Sequence, residues 1–171
     1  MIKEKNSAQK RKVLLLGILA VVLFVLLFIY FFVPAISHRQ PNVRQVVCRV
    51  NLRKIGIAIK RYANDNDSKY PAVDKWCDLL MEHGELTEKQ FVCPSVREGR
   101  CHYAMNPNCE PNSPEDVVLL FETKGGWNQF GGPEILTFEN HKEKGCNILF
   151  NSGHVMFIKP GQISKLKWKA E

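Results

Sequence analysis

Six cysteines (Cys48, Cys77, Cys93, Cys101, Cys109 and Cys146) and two late histidines (His141 and His154) carry most of the reactive chemistry in this 171-residue chain. An even cysteine count in a small domain suits a disulfide framework in an oxidising compartment, although the spacing leaves the pairing open. Zinc finds less support. No Cys-x-x-Cys pair exists, and the Cys93, Cys101, Cys109 series matches no common zinc-ligand pattern. Cys101-His102 also lacks the cysteine three residues earlier that covalent haem attachment requires. No metal or cofactor is therefore expected, and the six cysteines stand as candidate disulfide partners.

The stretch FNSGHVMFI, from Phe150 to Ile158, places Ser152 beside His154. Near neighbours on a hairpin do not make a Ser-His dyad, and no nucleophile-elbow spacing surrounds the serine. None of the five histidines has a recognisable nucleophile or orienting acid nearby in sequence, so no enzyme is expected. His154 reads instead as the residue after a tight turn at Asn151, Ser152 and Gly153, between the strands CNILF and HVMFI.

The elements that position these residues start with an apolar run. Val13 to Ile36 holds 24 uncharged residues, 19 of them Val, Ile, Leu or Phe. As a helix it would reach about 36 Å, enough to cross a bilayer core, and it is too long for a cleavable signal h-region. An uncleaved single-pass anchor is expected. Flanking basic residues are nearly balanced, so orientation follows from the cysteines, which all lie after the span. The N-terminus then faces the cytoplasm of a bacterial cell and the C-terminal domain lies outside its cytoplasmic (inner) membrane, in the periplasm where there is one.

Beyond Pro34 and Pro41, the residues Cys48, Leu52, Ile55, Ile59 and Tyr62 recur at helical steps on one face, with basic residues turned away from them. This predicts an amphipathic helix continuing from the span with a kink and ending at YANDNDSKYP. A short helix through KWCDLLMEH, capped by Asp74 and stopped at Gly84, comes next. Asp116 to Glu122 reads as a central strand, and the segment from Ile135 to Phe138 as another short strand. Between them, Gly131 and Gly132 belong to a glycine-rich loop that also carries Trp127 and Phe130. The plan is α+β, with a long helix packed on a small antiparallel sheet.

The chain divides into a basic tail (1–12), the anchor (13–36), the amphipathic helix (37–63), an extracytoplasmic domain (64–158) and a basic C-terminal tail (159–171). The net charge of +7 does not indicate nucleic-acid binding. Five basic residues precede the span and seven more fall between His38 and Arg61, where lipid headgroups are the natural partner, and the remainder is slightly acidic.

The stretch CRVNLRKIGIAIKRYANDNDSKYP resembles the start of the soluble part of bacterial type II secretion pseudopilin-like proteins. FVCPS, YAMN, VVLLFE, GGPEIL, His141 and NILFNSGHVMFI follow in the order of a large group of such proteins, named for a histidine followed nine residues later by Asp-Gly. The resemblance covers roughly Pro34 to Ile158. It implies a prepilin-like fold and contacts with other pseudopilins or envelope proteins. Two departures limit it. The span has no acid and no Phe-Thr-Leu-x-Glu after Gly17, so peptidase processing and polymerisation are not implied. Ser152 stands where the group has aspartate, and His141 precedes it by eleven positions. The expected function is a membrane-anchored structural protein. The alternative is an extracytoplasmic module that holds a glycan, peptide or cation through the aromatic loop around Trp127.

Overall fold

The computed structural model describes residues 2–37, 40–83, 86–96 and 98–170. These fall into two compact units, 1–40 and 41–171. The first is helix α1, Ile2–Ser37, which contains Pro34. Its stretch Arg11–Phe31 is long and apolar enough to cross a membrane, and its side chains are exposed along that length. The junction at which a kink is expected includes residues 38 and 39, which lie outside the described residues.

The second unit is α+β, as the periodicities predict. Helix α2 spans Gln40–Asp65, α3 Trp76–His83 and α4 Glu88–Phe91. The strands β1 (Cys101–Met105), β2 (Val118–Gly126), β3 (Cys146–Phe150) and β4 (Val155–Ile158) form an antiparallel meander in chain order. Leu52, Ile55 and Ile59 of α2 are fully buried in one cluster with Trp76, Leu80, Tyr103, Leu120 and Leu149, and Tyr62 packs at its edge. Helix and sheet approach closely at Gly56, where an added Cβ would meet Leu149 Cδ2 at 2.6 Å. Asp74 lies just before α3, and the Gly84 stop lies outside the described residues.

Three boundaries differ from expectation. β2 runs on to Gly126, because it continues to pair with β1 out to Cys101. The segment predicted as a strand from Ile135 to Phe138 makes only a single bridge, Thr123 to Leu136, and lies largely between two 3-10 turns, Pro133–Ile135 and Glu139–His141. The Asn140 side-chain amide donates to Thr123 O at 3.0 Å and ties the following turn to β2. The segment expected as a basic tail is a strap. Pro160–Lys165 is a 3-10 helix, Lys167 bridges Val117, and Trp168 meets Phe121 edge to face at 5.0 Å. With Ile135, Leu136 and Phe138, it covers the face of the sheet opposite α2. Burial on both faces explains why VVLLF is continuously apolar rather than alternating.

The contact at Gly56 yields a test. Gly56→Leu should lower the urea midpoint, because overpacking by about 1–3 kcal/mol outweighs the roughly 1 kcal/mol that helix propensity returns. A variant as stable as the parent would show that α2 does not press on Leu149.

Candidate functional site

Four side chains from four segments meet beneath α2. Cys48 lies on the inward face of α2, Cys93 in the turn after α4, Glu122 on β2, and His141 at the end of the 3-10 turn Glu139–His141. Glu122 shares its face of β2 with Leu120 by the two-residue repeat of a strand, so it points into the helix-covered side. Exposure is 0% for Cys48, Cys93 and Glu122 and 8% for His141. One donor atom from each lies within 4.8 Å of all the others.

Local hydrogen bonds hold each member. Asn51, three residues after Cys48, donates from Nδ2 to Val92 O at 3.1 Å and so ties the Cys93 turn to α2. The Cys93 N–H donates to His102 Nδ1 at 3.2 Å, which leaves His102 Nε2 as the donor to Glu98 O at 2.7 Å. Glu122 accepts from the Asn147 N–H and side-chain Nδ2, both at 3.0 Å, and pairs with His141 Nε2 at 2.9 Å. Left-handed backbone at Lys142 and Glu143 (φ 57° and 61°) turns the chain away immediately after His141. The His141 ring also packs edge to face on Phe157.

These contacts set the protonation of the cluster. Burial by itself would lower the His141 pKa, but hydrogen bonds to Cys93 and Glu122 reverse this and push it up to about 9. The Cys48 thiol, 2.7 Å from Cys93 Sγ, lowers the Cys93 pKa against the cost of burial, with His141 adding to the effect. The hydrogen bond to Cys93 and burial both raise Cys48 far above the ordinary thiol range. All four groups are buried, and such a set can form a sulfur-sulfur bond or ligate a metal.

The other cysteines divide. Cys77 and Cys101 face each other at 3.9 Å between sulfurs, and burial is the main reason that the Cys77 pKa is raised. Cys109 is buried in the cluster beneath α2, its thiol pushed up to about 12 chiefly by burial, whereas Cys146 belongs to the cluster on the opposite face. The structure thus brings together two of the candidate pairs and separates the remaining two cysteines.

The remaining predicted residues act in turns and packing. Trp127 donates from Nε1 to Asp78 at 2.9 Å, stacks edge to face on Phe91 and carries the Arg100 guanidinium 4.1 Å over its ring. Those contacts tie Trp127 to α3, whereas Phe130 of the same loop is 48% exposed. Gly131 donates to Met105 O, and Gly132 donates to the Glu134 carboxylate at 2.7 Å. Gly153 adopts φ +88° and donates to Phe150 O, closing the hairpin. His154 is exposed, and its carbonyl accepts from Phe150 N at 2.9 Å. Asn151 anchors the turn, accepting from Tyr70 Oη at 2.7 Å and donating to Ser113 O.

Sequence reasoning passed over Glu122 and Asn147. The available signal was an acid closing the apolar run VVLLFE, since a carboxylate in a buried strand must have partners. No family model, characterised protein or solved structure matches this chain.

Two outcomes follow. In a peptide map of oxidised, unreduced protein, Cys77 and Cys101 should appear crosslinked, while Cys109 and Cys146 should alkylate only after denaturation; a bridge between Cys109 and Cys146 would contradict the arrangement. Glu122→Leu, which strands His141 and the Asn147 N–H in the interior, should cost about 3–5 kcal/mol in urea unfolding.

Proposed function

We propose that this chain is a membrane-anchored, pseudopilin-like structural protein whose outward-facing domain works through contacts with other envelope proteins, including pseudopilins of a secretion assembly. The observation that carries this reading is the pair of helices. An exposed apolar helix of spanning length precedes α2, a second helix with one face buried on an antiparallel sheet and the other left open. On that open face Val43, Val46, Val47, Val50 and Ile57 are all at least 40% exposed, opposite Leu52, Ile55 and Ile59. Apolar side chains at this helical spacing suit another helix as partner.

The resemblance in motif order supports the same reading. CRVNLRKIGIAIKRYAND forms most of α2, and NILFNSGHVMFI forms the hairpin of β3 and β4. Ser152 in the turn suffices for a hairpin because Gly153 supplies the positive φ. The domain lies outside the cytoplasmic membrane in this proposal, with the basic N-terminal tail inside and the bilayer as the anchor's partner.

Membrane fractions test the anchor and the contacts separately. The full chain should resist alkaline carbonate extraction, and externally added protease should digest the domain in spheroplasts. A photoreactive side chain at position 46, 50 or 57 should give light-dependent adducts with envelope proteins, whereas one at Ser113 should not. A full-length protein that stays monomeric and forms no adduct at any of these helix positions would sink the assembly role.

A further inference from the structure

We propose that Cys48, Cys93, Glu122 and His141 bind one zinc-class divalent cation in a closed structural site with all four ligands from the protein. The inference concerns the interior of the domain and does not depend on the anchor or on the assembly role.

The number and type of donors carry it. A disulfide between Cys48 and Cys93 would use two of the four groups and leave Glu122 and His141 as a buried pair beside it. A cation uses all four. Two sulfurs, one imidazole nitrogen and one carboxylate oxygen form a borderline-soft set that suits tetrahedral zinc, whereas calcium and magnesium call for oxygen ligands. The sulfur separation of 2.7 Å lies between a disulfide bond and the roughly 3.8 Å expected of two thiolates on tetrahedral zinc, so it does not decide the matter. The other donors do.

The surrounding residues are arranged as an outer shell. Asn147 holds the Glu122 carboxylate through its N–H and its side-chain amide. Asn51 and His102 fix the backbone at Val92 and Cys93. Tyr103 is fully buried, and its hydroxyl has no hydrogen-bond partner of good geometry although it lies close enough to Cys48 to perturb that thiol. A metal-held Cys48 thiolate would accept that hydroxyl. Outer-shell groups of this kind orient ligands and tune the metal. The ion would join α2, the Cys93 turn, β2 and the 3-10 turn Glu139–His141. Pairs such as Cys48 and Cys93, 45 residues apart, or Glu122 and His141, 19 apart, explain why no spacing motif reveals the site.

Cobalt titration of the full chain, reduced with a phosphine and held in detergent without metal, tests the proposal. The expected result is one cobalt per chain with tetrahedral ligand-field bands and a thiolate charge-transfer band of two-sulfur intensity, all displaced by one equivalent of zinc chloride. Cys48→Ser and Cys93→Ser should each halve the charge-transfer band, His141→Gln should weaken binding by 10-fold or more, and the double variant Cys77→Ser, Cys101→Ser should bind as the parent does. If a ligand variant fails to fold, the parent's own spectrum and a zinc-dependent rise in its melting temperature, abolished by chelator, still decide. Absence of a stoichiometric tetrahedral cobalt spectrum in the folded, reduced parent would overturn the site. So would binding unaffected by loss of Cys48 or Cys93, or recovery of metal-free protein whose Cys48 and Cys93 are joined to each other.

Discussion

A carboxylate with no access to water governs the centre of this domain. Glu122 sits on the second strand with 0% exposure, and a charge in that position is tolerated only if other groups replace its hydration. Asn147 from the neighbouring strand and His141 from a 3-10 turn do so. That requirement fixes where the chain must return after its glycine-rich loop, and it sets His141 beside the two sulfurs held by α2 and by the turn after α4. The helix, the sheet and two connecting segments are therefore locked by polar contacts as well as by apolar burial.

The apolar contribution is divided between the two faces of the meander. One face receives α2 and α3, with Gly56 allowing the helix to sit directly on Leu149. The other receives the segment around Ile135 to Phe138 and the C-terminal strap with Trp168. A sheet covered on both sides accommodates continuous apolar strands, and the buried Glu122 carboxylate, Asn147 amide nitrogen and Asn106 amide nitrogen within it each have hydrogen-bond partners. Asn106 shows the same economy: its amide joins Val118 O to Trp168 O and so ties the strap to the strand it covers.

Function enters through what is left uncovered. The interior site is closed, and the aromatic loop is held down by Asp78, Phe91 and Arg100. What faces outward is the valine-rich side of α2, following a helix whose apolar surface suits lipid. In the proposed reading, this scaffold would hold a position at a membrane and present α2 to neighbours.

Local pattern alone determined the apolar helix, the amphipathic α2, the short α3 and the final hairpin, because each depends on contacts three or four residues apart, on strand alternation, or on a turn whose glycine needs positive φ. His154 was legible as a turn-flanking residue for that reason. The sequence did not disclose the strap, the 3-10 turns that flank the single bridge found where a strand was expected at Ile135 to Phe138, or the meeting of Cys48, Cys93, Glu122 and His141. Those depend on pairings between distant segments, such as Asn140 with Thr123 and Trp168 with Phe121, and on one buried charge whose partners are chosen by topology rather than by spacing. Only the folded sheet, by bringing Asn147 alongside Glu122 and α2 above them, decided which cysteines share a site with a histidine.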